Sequence, residues 1–382
     1  MNKPKIALVH EFLNFLGGAD QILFKFHEMY PQAPIYCLLA DEKFTKKYLP
    51  NATIIPSYLN KLPRFITNKH QLFAFEFPIA IEQFDFSNYD IVLSDSHSFA
   101  KGIITKPQTI HISYIHSPTR YLWDQNGAWI NQKKLSIFAP YINYRFNKLR
   151  NWDLLAADRV DLFIANSQHV ASRIKKFYRR PAQVIYPWVD TEKFQPPENI
   201  QKEDYYLIVS RLVPFKNFDI AVKAFNQLGK KLVIAGTGDE EKYLKSIAKD
   251  NIEFLGFVSD EKKIELFQKA KAFIWTCEED FGIVPVESMA AGTPVIAYGV
   301  GGLKESVVEG FTGLFFDKQT PEDLIDAVKK FESGNLDITG SNCLKQATKF
   351  NIADFKNQVS QIVDRVWDDP DTILADALKK IY

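Results

Sequence analysis

The stretch Glu279-Asp280-Phe281-Gly282-Ile283-Val284-Pro285-Val286-Glu287-Ser288-Met289-Ala290-Ala291-Gly292-Thr293-Pro294-Val295-Ile296-Ala297 decides how the chain is read. Upstream, the apolar run Ala272-Phe273-Ile274-Trp275 predicts a buried strand that delivers the chain to Glu279. Phe281-Gly282-Ile283 predicts a turn. Pro285 suits the first turn of a helix, where its missing N–H would be unpaired anyway. Gly292 ends that helix, Pro294 prevents its continuation, and Val295-Ile296-Ala297 is the next strand. A glycine turn thus sits at the carboxyl end of a strand and opens a short helix, and the free N–H groups at such a helix start attract anions. Glu279 lies in the loop before this site and Glu287 within the helix. The plainer reading is an ordinary strand–turn–helix crossover with two surface glutamates.

Working outward, the C-terminal half repeats the alternation of strand and helix. Strands are predicted at Tyr205–Val209, Lys231–Ala235, Ile252–Leu255 and Gly313–Phe316. The first ends in Ser210-Arg211-Leu212-Val213-Pro214-Phe215-Lys216-Asn217, where Arg211 and Lys216 bracket a strand-to-helix turn and two cations suit a diphosphate. Gly236-Thr237-Gly238, Gly256-Phe257-Val258-Ser259-Asp260 and Gly301-Gly302-Leu303-Lys304-Glu305 follow later strands.

The N-terminal half has the same pattern. Strands are predicted at Lys5–His10, 34–40, 52–56, Tyr89–Leu93, Thr109–Tyr114, Asp161–Ala165 and Gln183–Tyr186. Gly17-Gly18-Ala19-Asp20 opens the first helix, an arrangement that brings backbone close to a phosphate and that also serves plain packing. His116 follows a buried strand, in Ile115-His116-Ser117-Pro118-Thr119-Arg120-Tyr121-Leu122-Trp123-Asp124; the carboxyl ends of parallel strands are where α/β proteins place ligand contacts. Residues 58–84 predict an amphipathic helix pair. In residues 129–158 basic and aromatic side chains interleave on a helix, read either as a face packed on the sheet or as docking on anionic headgroups. No nucleic-acid-binding motif is present.

The 382 residues fit two domains, and 46% apolar with 24% charged residues is ordinary globular composition. Cys37, Cys277 and Cys343 are far apart, which argues against a disulfide framework or a zinc site and for a reducing compartment. Lys3 and Lys5 precede an apolar run that His10-Glu11 breaks, a first strand rather than a signal peptide. No apolar stretch approaches the roughly 18 residues of a bilayer span. Residues 1–195 hold 24 Lys and Arg against 16 Asp and Glu, and the remainder 23 against 30. A basic half paired with an acidic one suggests a face that meets an anionic surface or acceptor; an accident of surface charge is the alternative.

At this point a resemblance enters. Glu-x7-Glu, a small-residue helix and Gly-Thr-Pro-Val-Ile-Ala resemble the retaining glycosyltransferases of family 4, and similar landmarks run along nearly the whole chain. The resemblance implies an α/β GT-B fold, two Rossmann-like parallel-sheet domains facing across a cleft: an acceptor domain over 1–195, a nucleotide-sugar donor domain over 196–352, and C-terminal helices over 353–382 crossing back. It implies that Glu279 contacts hydroxyls of the transferred sugar and Glu287 the ribose hydroxyls. The amides of Phe281, Gly282, Ile283 and Val284 would face the sugar and diphosphate, and Arg211 with Lys216 would clamp the diphosphate. The Val258 loop would meet the nucleobase, Gly17 and Gly18 the phosphates and sugar, and His116 the reaction centre.

The function so implied is transfer of a hexose with retention, the leaving phosphate deprotonating the incoming hydroxyl. The donor is a nucleoside diphosphate sugar used as co-substrate without a metal. The segments around His116 and Glu287 look most like mannosyltransferases of cell-surface polysaccharide assembly, which favours GDP-mannose and a glycan or lipid-linked acceptor. The expected location is cytoplasmic, with peripheral attachment to the inner face of the inner membrane. Competing readings are a UDP-hexose-dependent member, a nucleotide-sugar 2-epimerase, and a non-catalytic nucleotide-sugar- or membrane-binding subunit; the presence of Glu279, Arg211 and Lys216 speaks against the last. Thr276-Cys277-Glu278, just before Glu279, departs from the family pattern.

Overall fold

The computed structural model describes residues 3–14, 16–63, 74–124, 139–198, 200–371 and 375. Parts of the two amphipathic segments, 64–73 and 125–138, and most of the chain after 371 therefore lie outside the described residues.

Among the described residues thirteen strands are formed by short Val-, Ile-, Leu- and Phe-rich runs. In one unit, β1 (Ile6–Leu13), β2 (Ile35–Ala40), β3 (Ile54–Pro56), β4 (Ile91–Ser96), β5 (Ile110–Ile115), β6 (Leu162–Ala165) and β7 (Gln183–Val184) make a parallel sheet in the order β3-β2-β1-β4-β5-β6-β7. In the other, β8 (Tyr206–Val209), β9 (Leu232–Ala235), β10 (Ile252–Gly256), β11 (Ala272–Trp275), β12 (Val295–Tyr298) and β13 (Gly313–Phe316) make a second parallel sheet, β10-β9-β8-β11-β12-β13. The central strands are buried along their length, β4, β6, β9 and β11 completely. This is why they read as continuous apolar runs rather than as alternating ones. Local chemistry starts the helices between them: Ser167 Oγ accepts the Val170 N–H at 3.0 Å to cap the helix Gln168–Tyr178, and Thr320 caps Pro321–Glu332 in the same way.

The chain divides into Met1–Ile185 with Lys356–Tyr382, and Tyr186–Phe355. The first boundary falls ten residues before the 195 read from the sequence. The reason is burial: Val189 and Phe194, 3% exposed each, pack into the core of the second unit, and Gln268 holds the carbonyls of Phe194 and Gln195 there. The polar, Pro-bearing stretch after them looks like a linker but follows chain that is already committed. At the far end, the division falls within the helix Ile352–Asp368, after Phe355. From Lys356 on it belongs with the first, where Lys356 pairs with Glu28 and Val359, Val363 and Val366 are buried.

In both sheets the strand order reverses between the first strand and the fourth, at β1/β4 and at β8/β11. Crossovers on the two sides of such a point run to opposite faces of the sheet, so the loops leave a crevice at the carboxyl ends of that strand pair.

Candidate active site

The second unit builds its site at the β8/β11 point. β8 leads to the exposed Arg211, then to a single helical turn, Pro214–Lys216, and through Asn217 into the helix Phe218–Leu228. β11 leads to Thr276, Cys277 and Glu279. The two loops are bound together twice. The Lys216 ammonium pairs with the Glu279 carboxylate, and Thr276 Oγ1 donates to the Lys216 carbonyl at 2.7 Å. Burial is the largest influence on Lys216 and would lower its pKa, but the charge and hydrogen bond of Glu279 together with Cys277 outweigh it and raise the ammonium above its ordinary value. The ammonium also lies 4.4 Å from the centre of the Trp275 ring. Cys277 Sγ donates to Glu279 Oε1 at 3.4 Å; burial pushes this thiol up, so it stays a donor. The unusual Thr276-Cys277 pair is thereby explained: both side chains brace the ion pair.

Glu279 is fixed by its backbone as well. The Gly302 N–H donates to its carbonyl at 2.8 Å, beside a parallel bridge between Glu279 and Gly301. Gly301 has φ +87°, and a Cβ there would collide with the Glu279 carbonyl. The turn then closes at Gly282, φ +88°, which caps the helix Ile283–Ala290. Phe281 anchors it, 2% exposed, with its ring 5.7 Å from Tyr186 and 5.3 Å from Phe350. The buried ring fixes the backbone, so the amides of Ile283 and Val284 stand at a rigid helix start.

Glu287 lies on that helix with Lys263 Nζ 3.2 and 3.4 Å from its two oxygens. Burial raises the Glu287 carboxyl above its ordinary value, and Lys263 only partly offsets this. Lys263 sits on the helix Asp260–Lys269, which begins directly after the Val258 loop; Val258 is half-buried and its neighbour Phe257 is 85% exposed. Lys263 was not singled out in the sequence, where it is one of several lysines on a polar helix. Its only signal is that it follows the loop assigned to the nucleobase.

In the first unit the β1/β4 point, with β5 beside β4, gathers His10, Glu11, Asp95, His97 and His116. Asp95, fully buried, has Oδ1 2.5 Å from His116 Nε2 and Oδ2 2.9 Å from His10 Nδ1. His10 Nε2 is 3.3 Å from Asp20 Oδ1, and Asp20 Oδ2 accepts the Gly17 N–H at 2.7 Å at the start of the helix Gly18–Met29. Burial disfavours a charge on His10, yet the two carboxylates outweigh it and raise its pKa to about 10. His97 stacks on His116 with ring centroids 4.7 Å apart. Burial and the neighbouring His116 push His97 down to about 4. Glu11 Oε1 accepts the consecutive backbone N–H groups of His97, Ser98, Phe99 and Ala100 at 2.5 to 3.1 Å, which pins that loop. The sequence marks Gly17, Gly18 and His116 as site residues, but not His10, Glu11, Asp95 or His97. The available signal was the polar His10-Glu11 and Ser94-Asp95-Ser96 at the ends of apolar strands.

Trp123 donates from Nε1 to Asp153 at 2.7 Å and stacks on Phe177, so it is engaged in packing rather than held out for a ligand. Among the described residues no group of three His, Cys, Asp or Glu is placed to hold a metal ion.

The sequence matches two family models, "Glycosyltransferase Family 4" over residues 35–193 and "Glycosyl transferases group 1" over residues 189–350. The chain belongs to the glycosyltransferases of family 4. It is 25% identical over 368 residues to the alpha-1,3/1,6-mannosyltransferase alg2 of Schizosaccharomyces pombe, covering 81% of this chain and 70% of that one. It is 30% identical over 201 residues to the GDP-mannose-dependent alpha-(1-6)-phosphatidylinositol monomannoside mannosyltransferase of Mycobacterium tuberculosis, covering 45% of this chain and 52% of that one. Anabaena HepE, solved in complex with UDP and glucose, superposes with a TM-score of 0.68 at 19% identity, covering 95% of this chain and 100% of that one. The fold is GT-B.

Two stability effects follow from the geometry. Gly301→Ala forces both a strained φ and a backbone collision, and is expected to lower unfolding free energy by about 1–3 kcal/mol in urea titration; an unchanged midpoint would contradict the zipped Glu279 loop. For Glu287 a raised carboxyl pKa means that the ionised side chain opposes folding at neutral pH. Its contribution to stability therefore improves as pH falls through that raised value toward its unfolded one, near 4.5. Glu287→Gln should thus keep or raise the melting temperature at pH 7 and flatten this acid-side gain, as scanning calorimetry across pH would show.

Proposed function

We propose that this chain is a retaining hexosyltransferase that moves mannose from GDP-mannose to a hydroxyl of a glycan or lipid-linked acceptor, in cell-surface polysaccharide synthesis and without a metal. The observation that carries the reading is the Lys216–Glu279 pair beside the Gly282 helix start at the carboxyl ends of β8 and β11. A diphosphate brought there meets Arg211, Lys216 and the amides of Ile283 and Val284, which neutralise leaving-group charge. As the diphosphate draws the Lys216 ammonium, Glu279 is released to accept hydrogen bonds from sugar hydroxyls. Glu287 accepts from the ribose hydroxyls.

The anomeric C–O bond to the diphosphate breaks and a bond from the acceptor oxygen forms on the same face. The acceptor proton goes to the departing phosphate oxygen. A double displacement would need a carboxylate nucleophile; in this reading Glu279 and Glu287 are both engaged in accepting hydrogen bonds from hydroxyls. His116 serves the same reaction as an active-site residue of the first unit.

The names of the relatives support mannose and guanine: one is a mannosyltransferase and the other is GDP-mannose-dependent. HepE, at 19% identity, speaks for the fold alone. Support for a membrane-borne acceptor comes from the helix Ala139–Asp158. It exposes Tyr141, Tyr144 and Leu155 alongside Lys148, with Arg145 half-buried beside Tyr141. Among the described residues no helix is long and apolar enough to cross a membrane.

Thermal-shift measurements with GDP, UDP, GDP-mannose and UDP-glucose, in EDTA, test the donor. A ligand at 100 times its Kd stabilises by about 2.7 kcal/mol. The expected result is a shift with the guanine compounds that is abolished in Arg211→Ala and in Glu287→Gln. A shift with the uracil compounds alone would discard GDP-mannose, and no shift with any of them would discard the donor site. Where transfer is observed, the one-bond C1–H1 coupling of the first-formed product decides retention.

A further inference from the structure

At the carboxyl ends of β1, β4 and β5 a continuous line of contacts runs from the Gly17 N–H through Asp20, His10 and Asp95 to His116. Every side chain in it but the last is at least nine-tenths buried; His116 keeps 16% of its side chain exposed. The contacts dictate protonation. His10 has a carboxylate oxygen 2.9 and 3.3 Å from its two ring nitrogens; neither approach has hydrogen-bond geometry, but two buried carboxylates this close to one ring favour its doubly protonated, charged form. Asp95 lies between two imidazoles. Burial works against its charge, but His116 and His10 outweigh that and hold the carboxyl well below its ordinary range. An ionised Asp95 accepts and does not donate, so the proton in the His116 contact sits on Nε2 of the histidine. When the ring carries that single proton, Nδ1 is an acceptor, and no hydrogen bond to it is found among the described residues.

Burying a cation between two anions is a poor way to stabilise a sheet end, and apolar side chains of similar volume do that at least as well. The arrangement makes sense if it fixes something. Other contacts hold the remaining freedom of His116: its N–H donates to the Ser96 carbonyl at 2.9 Å, Asn166 Nδ2 donates to its carbonyl at 3.1 Å, and His97 stacks on its ring.

We propose that Asp95 and His10 are positioning residues for His116: they hold its imidazole as the Nε2–H tautomer, so that Nδ1 accepts a hydrogen bond from a substrate hydroxyl, and through Asp20 they tie that ring to the Gly17-Gly18 turn. This rests on the reading of His116 as an active-site residue. It gives the ring a binding and orienting role in which it accepts one hydrogen bond and transfers no proton. It also makes the Gly17-Gly18 turn and His116 one mechanical piece, so that a shift of the turn reorients the ring.

The test begins with wild-type protein carrying 15N-labelled histidine. The chain has seven histidines, and the His10 and His116 signals are assigned by their loss in His10→Gln and His116→Gln. The groups that face His10 are Asp20 from the first helix, Asp95 and His97 from β4 and the loop after it, Glu11 from its own strand, and His116 beyond Asp95. At about pH 8, above the ordinary imidazole range, His10 should remain doubly protonated and His116 should show a single proton on Nε2. A neutral His10, or His116 protonated on Nδ1, overturns the proposal without reference to any activity.

Steady-state transfer kinetics add the second readout. Asp95→Asn should lower kcat by about 10- to 100-fold, with a smaller change in donor KM and a mixed His116 tautomer. Combined with His116→Ala it should add little to the loss from His116→Ala alone. If His116→Ala itself leaves kcat unchanged, the role of His116 in the proposed function fails. If His116→Ala is inactive while Asp95→Asn keeps full kcat and the wild-type tautomer, the relay alone fails.

Discussion

Everything functional in this chain hangs on one topological constraint, the reversal of strand order in each parallel sheet. Parallel strands need crossovers, crossovers are right-handed, and a sheet that grows outward in both directions from its first strand must send them to opposite faces. At β1/β4 and β8/β11 the loops therefore part, and polar groups can stand at the end of an otherwise apolar sheet with access to a ligand. In the second sheet the neighbouring strands offer no other place for them: β9 and β11 are wholly apolar.

The two units use this opening in the same way. In each, a base belonging to the first strand or the loop after it meets a carboxylate belonging to the fourth: His10 with Asp95, and Lys216 with Glu279. Each pair then reaches outward, to His116 in one case and to the Gly282 helix start in the other. Each is braced by a glycine turn, Gly17 through Asp20 and Gly301 through the Glu279 backbone. Such pairs are poor sources of stability, because desolvation cancels most of their attraction. What they provide is fixed geometry for charge and hydrogen-bonding capacity, which is what transfer of a sugar from a charged leaving group requires.

Much of this was legible in the sequence for physical reasons. The strands are apolar runs bounded by Gly, Pro and polar residues, and the turn at Gly282 and the stop at Gly292-Thr293-Pro294 follow from backbone sterics. The division between units was less legible. The Pro-bearing stretch after Phe194 looks like a linker, and that Val189 and Phe194 had already joined the second core depends on partners far along the chain, such as Gln268.

The sequence by itself determined the alternation of buried strands and covering helices, the family, the positions of Glu279, Arg211, Lys216 and His116 in the loops after strands, and that of Glu287 in the helix that follows one. These are local properties, set by periodicity and by which residues a turn tolerates. Only the tertiary structure decided the partners: Lys263 for Glu287, Thr276 and Cys277 around the Lys216–Glu279 pair, and the line Asp20–His10–Asp95–His116. Apart from Lys263 and Glu287, which lie on helices, those contacts join residues gathered at the ends of strands adjacent in the sheet but up to 85 positions apart in the chain, as for His10 and Asp95. No spacing rule encodes them. They exist because strand order, and not sequence order, determines which loop ends meet.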